Sequence, residues 1–461
     1  MIEHPMSNPG ADVSAAPDAA ATLIVSGALV PPGAQDGRWA APGATRVGGA
    51  GERVDIVVAG RHIRAIEPHR PDRPASAGTR VLDARGTAAL PGLVNAHTHN
   101  GMTIMRSYAD DMPLMPWLQE KIWPFEARMT PEDVYWSNRL GCIEMIRTGT
   151  TCFSDMYWHF EQTATAVMDS GLRAQLAAAL ADFGAADRAE EQKAVARDVV
   201  AGRNRFGSRI TLAFGPHANY TVSGATLGWL AETAAANDIP LHIHLSETAG
   251  EVANCVRDTG LRPPAYLDSL GVLGPRTFAA HCVHLDDAEI ALLAERGVHA
   301  LHNPKSNLKL ASGGPMRYRD MRAAGVSVLV GTDSVASNNS LDMFEELQFA
   351  ALLAKHAAGD PTVLPAGEAL GLATSAAADA LRLPIGRIAP GRLADLVIID
   401  LAHPMMFPGH DLAADVIYSA NGRAVQSTVC DGQVLMESGV VADEAEIRAE
   451  VVGRLGRLVG R

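Results

Sequence analysis

Short apolar runs that break off in polar or histidine-bearing residues alternate with longer amphipathic stretches over most of this chain. The runs ALPGLVNAHTH, TTCFSDMY, RITLAFGPH, IPLHIHLSE, RTFAAHCVHL, VHALHNPKSN and VSVLVGTDS read as strands, with PEDVYWSNRLGCIEMIRTG and SLDMFEELQFAALLAK among the helices between them. Near-continuous apolar strands alternating with helices mark a parallel sheet covered on both faces. About eight such units over roughly 300 residues fit an α/β fold of the closed (β/α)8, TIM-like kind. Outside this region the pattern turns to short β runs, in ATLIVSGALV and RVDIVVAGRHIRAIEP near one end and GRLADLVIIDL and STVCDGQVLMESG near the other. The two ends are expected to pair into one small β-sandwich. The expected division is a flexible tail over 1–20, the N-terminal part of the sandwich over 21–88, the barrel over 89–385, and the rest of the sandwich with a terminal helix over 386–461.

Composition narrows the partners. The chain has 461 residues, 47% hydrophobic and 20% charged, enough for one large domain and a smaller one. A net charge of −13 argues against nucleic-acid polymers and anionic membranes, which need a positive footprint. It leaves room for a small heterocyclic molecule in a pocket. The five cysteines are scattered and lack CxxC spacing, which suits a reducing cytoplasm better than a disulfide framework. No basic segment precedes an apolar core at the N-terminus, and no run of about 20 apolar residues occurs, so neither a signal peptide nor a membrane span is expected.

Chemistry-bearing residues collect at the C-terminal ends of the expected strands, the face on which barrels of this kind build their sites. His97 and His99 are two apart on a strand and share a face, so both imidazoles can reach one ion. A lone HxH is a weak signal. His244, His281 and Asp333 end three further strands in the expected order, and that combination is a strong one. Three histidines and a carboxylate with room for water describe a catalytic rather than a closed structural site. Nitrogen and oxygen donors favour one zinc ion, with iron(II) or manganese(II) as alternatives. His242 shares a face with His244 one layer deeper and reads as a core or supporting histidine. His284, His299 and His302 read as loop or surface residues, with His302 in HNPKSN the one placed to line the pocket, and Cys282 as a small buried apolar side chain.

PGLVNAHTH, HLSET, AAHCVHL and GTDS together resemble the amidohydrolase superfamily, and GRIAPGRLADLVIID is similar to that superfamily's return into its small sandwich. The segment HTHNGMTIMRSYADDMPLMPWLQEKIWPFE resembles the branch of methylthioadenosine, S-adenosylhomocysteine and adenosine-type deaminases, with triazine hydrolases as near relatives. The resemblance implies that His97, His99, His244 and Asp333 hold the metal and that Glu247 and His281 are catalytic partners. It further implies that Trp117, Glu126 and His217 contact substrate, together with Glu247. The implied reaction is hydrolytic: a metal-activated water attacks the amino-bearing carbon of an adenine nucleoside, Glu247 protonates the neighbouring ring nitrogen, and ammonia leaves. Asp333 can both bind the ion and take the water's proton, because a carboxylate has two oxygens. A carboxylate at Glu126 suits a ribose diol for the same reason. A homo-oligomer is the family's expected assembly.

Each of these residues also has a structural explanation. Glu247 could stabilise the N-terminus of the following helix, Trp117 could pack the lid, Glu126 could cap the helix near Pro131, and His217 could support the loop GPHANY. Asn338 and Asn339 could shape the rim or turn the chain. One difference within the superfamily bears on the metal and two bear on substrate. No lysine ends RITLAFGPH, which argues for one ion rather than two. The stretch RAQLAAALADFGAADR has small apolar residues where relatives that bind a carboxylate tail carry arginines, leaving Arg173 and Arg188 as substitutes. Asn100-Gly101 replaces an expected pair of small apolar residues after HTH. The leading expectation is therefore a deaminase of methylthioadenosine, 5'-deoxyadenosine or adenosine. The alternative is the same chemistry on another aminated or chlorinated heterocycle, such as a triazine, a pterin or a guanine-type base. A catalytically inactive barrel with a binding role is the remote third, since it should lack a ligand or Glu247.

Overall fold

The computed structural model describes residues 20–41, 53–73 and 75–459. The tail expected over 1–20 lies almost wholly outside these residues. Eight parallel strands follow one another round a barrel: β6 (Leu93–Thr98), β7 (Thr150–Tyr157), β8 (Arg173–Leu180), β9 (Ile210–Pro216), β10 (Leu241–Leu245), β11 (Thr277–His281), β12 (His299–His302) and β13 (Ser327–Val330). Sequential order with parallel pairing throughout follows from the helix that returns the chain after each strand. The ring closes where Thr98 bridges Asp333 in parallel and the Asp333 N–H donates to the His97 carbonyl (2.9 Å). Gly331 makes that closure possible, since a Cβ there would lie 2.4 Å from the His97 nitrogen.

The smaller part has two sheets. One orders β1 (Leu23–Ala28), β2 (Val54–Ala59), β3 (His62–Pro68) and β4 (Arg80–Asp83) as β3-β2-β1-β4. The other joins β5 (Thr87–Pro91) to β14 (Leu396–Asp400), β15 (Val425–Cys430), β16 (Gln433–Glu437) and β17 (Val440–Val441). Antiparallel pairing of β5 with β14 brings the two ends of the chain together, as their β patterns imply. One expected strand is two: ALPGLVNAHTH splits at Gly92 into β5 of the sandwich and β6 of the barrel. Its apolar pattern is unbroken because both pieces are buried throughout. No helix among the described residues is long and apolar enough to cross a membrane.

Alternation sends every second barrel side chain inward, and the innermost ones are polar: Asn95 donates to Thr332 Oγ1 (2.7 Å) and Gln175 to Ser154 Oγ (3.2 Å). The apolar positions between them face the surrounding helices and form the main core. At the base of the barrel, Arg173 enters from the start of β8 and pairs with Asp395 (3.3 Å) and Asp431 (2.8 Å) of the sandwich.

Candidate active site

The C-terminal rim of the barrel gathers side chains from β6, β10, β11 and the turn after β13. His99 Nε2 lies 3.2 Å from His244 Nε2 and 3.2 Å from Asp333 Oδ1, and His97 Nε2 lies 3.4 Å from the same oxygen. The opposite ring nitrogens are occupied: His99 Nδ1 meets the Met156 carbonyl (2.6 Å), His244 Nδ1 the His217 carbonyl (2.7 Å), and His97 Nδ1 meets His242 Nε2 (2.8 Å). A carbonyl only accepts, so His99 and His244 carry their hydrogens on Nδ1 and present lone pairs at Nε2. Two lone pairs facing each other at this distance repel unless a cation lies between them. His97 Nε2, buried beside them, has no hydrogen-bond partner among the described residues. The donor atoms of His97, His99 and Asp333 lie within 4.8 Å of one another, as do those of His97, His244 and His281, and imidazole nitrogens with a carboxylate oxygen so gathered fit a divalent transition metal. The protonation equilibria agree. Burial disfavours a charged His99, yet the Asp333 carboxylate outweighs it and lifts the imidazole to about 9, so a proton competes with a cation for the His99 Nε2 lone pair and Asp333 stabilises either. Burial opposes the Asp333 carboxylate too, but His97 and His99 hold it well below the usual range.

Backbone strain concentrates here. Ser246, His281, Cys282 and Asp333 have φ of 49°, 74°, 50° and 62°, a left-handed region that non-glycine residues enter only when their surroundings impose it. Asp333 is further fixed by Ser306 Oγ (2.5 Å) and Ser337 Oγ (3.1 Å), both donating to Oδ2, which leaves Oδ1 for the imidazoles.

Glu247 and His281 adjoin this point. Glu247 is 5% exposed; its Oε1 accepts from Ser312 Oγ (3.2 Å) and its Oε2 lies 3.7 Å from His281 Nε2. Burial raises its carboxyl pKa against the pull of His281. The next helix, Ala249–Thr259, does not depend on it. Thr248 caps that helix, and Glu251 accepts the backbone N–H groups of Ser246 and Glu247 (both 2.8 Å). Asn307 Nδ2 donates to His281 Nδ1 (3.0 Å), which leaves the ring hydrogen on Nε2, turned toward Glu247.

A cleft opens over these groups, and Trp117, Glu126 and His217 all line it. Trp117 is held by its indole N–H on the Ala109 carbonyl (3.0 Å). Glu126 does not cap the helix at Pro131, whose N-terminus is closed by a reciprocal Thr130–Asp133 capping box. Burial lifts its carboxyl to about 7 although Tyr157 and Trp158 hydrogen-bond it. His217 does two things: its carbonyl orients His244, and its ring, held near Thr221 Oγ1 (3.0 Å), faces the cleft. His97 lies beneath the cleft floor rather than on it.

Other sequence candidates fall elsewhere. Arg173 is at the far end of the barrel in its ion pairs, away from the cleft. Arg188 stacks over Phe183 (5.8 Å) in an adjoining groove that also touches Trp123 and Glu126. Asn338 spans Thr332 and Glu346 (2.6 and 2.7 Å), and Asn339, at φ 70°, turns the chain. Asn100 is a buried brace between Asp155 (2.6 Å) and Asn138 (2.8 Å). Gly101 lets the Tyr157 ring come within 2.1 Å of where a Cβ would be, and Tyr157 walls the cleft. His302 is buried and does not line the cleft, and His284 donates to the Ser312 carbonyl (2.6 Å). The sequence reading missed the aromatic wall of Trp123, which opens a short helix, Tyr157 and Trp158 at the end of β7, and Tyr220 in the turn after β9, residues with no shared spacing.

The model of the Amidohydrolase family matches residues 88–435. A protein of Methanoregula boonei named 5'-deoxyadenosine deaminase is 49% identical over 382 residues, covering 83% of this chain and 86% of the relative. A 5-methylthioadenosine/S-adenosylhomocysteine deaminase of Moorella thermoacetica is 47% identical over 380 residues, covering 81% and 88%. Among solved structures, an adenosine deaminase from Xanthomonas campestris with bound zinc superposes with a TM-score of 0.87 at 37% identity, over 96% of this chain and 100% of that one.

Proposed function

This chain belongs to the amidohydrolase family, and from that premise we propose that it is a hydrolytic deaminase of adenine nucleosides of the 5'-deoxyadenosine, methylthioadenosine or adenosine type. Its single divalent ion, zinc first, would be held by His97, His99, His244 and Asp333. The observation that carries this reading is the facing pair of Nε2 lone pairs on His99 and His244 at 3.2 Å, with Asp333 Oδ1 and the unpartnered His97 Nε2 beside them. Such an ion, when bound, lowers the pKa of a coordinated water from 15.7 toward about 7.

The chain's own groups account for the remaining steps. His281, its hydrogen on Nε2, donates to the incoming oxygen and fixes its direction. Asp333 takes the proton of the attacking water. Glu247, whose carboxyl burial shifts toward the acid form, donates to the ring nitrogen beside the amino-bearing carbon, which becomes tetrahedral. Asp333 then returns a proton to the amino group, the C–N bond breaks and ammonia departs, and the hydrogen left on the new oxygen passes to Glu247 and restores its acid form. Glu126, with two acceptor oxygens, supports a ribose diol as the far end of the substrate, and Trp117 with the other aromatic residues supports a flat base. The five buried free cysteines suit a cytoplasmic enzyme, and the family resemblance suits a homo-oligomer.

An ammonia-release panel of adenosines, guanine, pterins and triazines tests this. Turnover of adenine nucleosides with at least about 10-fold higher kcat/KM than any free base or triazine is expected, the worth of one charge-assisted contact to the ribose. Turnover confined to the other heterocycles would overturn the nucleoside assignment.

A further inference from the structure

We infer that His242, one layer below the mouth of the barrel, is a positioning residue that keeps the hydrogen of His97 on Nδ1 and so frees its Nε2 for the metal. This rests on the metal-binding reading above. Of the three imidazoles assigned to the ion, His99 and His244 rest on backbone carbonyls, whose lone pairs leave one tautomer. His97 alone rests on another side chain. Its Nδ1 lies 2.8 Å from His242 Nε2, and both residues have zero exposure. A histidine nitrogen can either donate or accept, so this contact by itself permits two arrangements.

In one arrangement His97 Nδ1–H donates to His242 Nε2, and His242 Nδ1–H donates to Ser154 Oγ (3.2 Å). The Ser154 hydroxyl can accept this bond together with the one from Gln175 Nε2 (3.2 Å), since it has two lone pairs. In the other, the His97–His242 and His242–Ser154 bonds reverse while Gln175 Nε2 still donates to Ser154 Oγ, and the His97 hydrogen moves to Nε2, aimed at Asp333 Oδ1 3.4 Å away. The second also engages the Ser154 hydroxyl hydrogen, which the first leaves without an acceptor in the column Gln175–Ser154–His242–His97. Only the first leaves His97 able to bind an ion. His242 is what makes the first affordable, because without an acceptor the buried Nδ1–H would be orphaned at a cost of about 1–3 kcal/mol. The supporting partner of this ligand is thus an imidazole, where a carboxylate, carbonyl or water is the usual choice.

The test is metal affinity, read by chelator competition on the whole chain with zinc, in His242→Phe, His242→Gln and Ser154→Ala. Phenylalanine keeps the ring volume and removes the acceptor; about 10- to 100-fold weaker zinc binding is expected. Glutamine offers Oε1 near the position of Nε2 and should restore affinity to within a few-fold of the parent. Ser154→Ala, remote from the ion, should weaken binding by a smaller factor, and kcat should fall in step with zinc occupancy while KM stays constant. Equal affinity in parent and His242→Phe overturns the inference, as does failure of glutamine to rescue a folded protein. Absence of stoichiometric zinc binding by the parent itself would instead overturn the metal assignment.

Discussion

Two clusters of buried ionisable side chains sit at opposite ends of the same barrel, and they differ in whether their charges balance. At the base, buried Arg173 meets Asp395 and Asp431, and Arg61, its side chain 39% exposed, adds a second contact to Asp431 (2.9 Å) from the edge. Two guanidinium groups face two carboxylates, and Asp395 also accepts the Asp431 N–H (2.8 Å). At the mouth, Asp333 faces imidazole nitrogens that offer lone pairs, Glu247 faces the neutral ring of His281, and among the described residues no lysine or arginine lines the cleft. Both ends bury charge. Only the mouth asks for something from outside, and burial alone would not have told them apart. A balanced buried cluster joins two parts of the fold, whereas an unbalanced one marks where a cation and a substrate belong.

The sharpest way to break this contrast is to take away the implied cation. Stripping the protein with a strong chelator should reduce ammonia release to below about 1%, with recovery at one equivalent of zinc. The stripped protein should also melt at a lower temperature, since an ion that binds only the folded chain stabilises it by about 4 kcal/mol at a thousandfold excess over Kd. Full activity after verified removal would mean that the mouth is balanced after all.

Next in size is Glu247→Gln. It leaves the donor set of the ion intact but removes the proton that the ring nitrogen needs, so kcat should fall by about 10²–10⁴-fold while bound zinc stays stoichiometric. Loss of both together would point to a structural part for Glu247. The matching change at the base is Arg173→Met. Two carboxylates then lose a partner that is 1% exposed, and the expected cost is about 3–5 kcal/mol in unfolding free energy, read from denaturant midpoints. Zinc content and kcat of the folded fraction should not change. An effect on KM would put Arg173 in communication with substrate, against its place in the fold.

The mouth was more legible in the sequence than the base, for a physical reason. Ligands and catalytic groups must reach one point from the ends of separate strands, and strand ends are where apolar runs stop, so His97, His244, His281 and Asp333 stand out. Arg173 begins a strand, where a polar residue is as consistent with a turn as with an ion pair, and its partners lie more than 200 positions away, separated by 222 residues from Asp395. The sandwich was readable from alternating runs at both ends, but the join at Gly92 was not, because both strands flanking it are buried on every face. Alternation placed His242 in its layer without revealing its partner. The aromatic wall was invisible because Trp123, Trp158 and Tyr220 share no period; only the closed barrel brings them together.

The smallest expected effect concerns the substrate end of the mouth, where Glu126 adds a third carboxylate with no cation. Burial lifts its pKa to about 7, against Tyr157 and Trp158, which favour the ionised form. Below pH 7 the group is mostly the neutral acid, and one of its oxygens becomes a donor. Above pH 7 both oxygens accept, which is what two ribose hydroxyls require. KM for a nucleoside should therefore rise as pH falls through about 7, while KM for a free base stays flat. Glu126→Gln should raise the nucleoside KM by about 10-fold, the worth of about one charge-assisted hydrogen bond, and erase the pH limb. If the limb survives the substitution, the titrating group lies nearer the ion, and Glu126 serves the wall of the cleft rather than the diol.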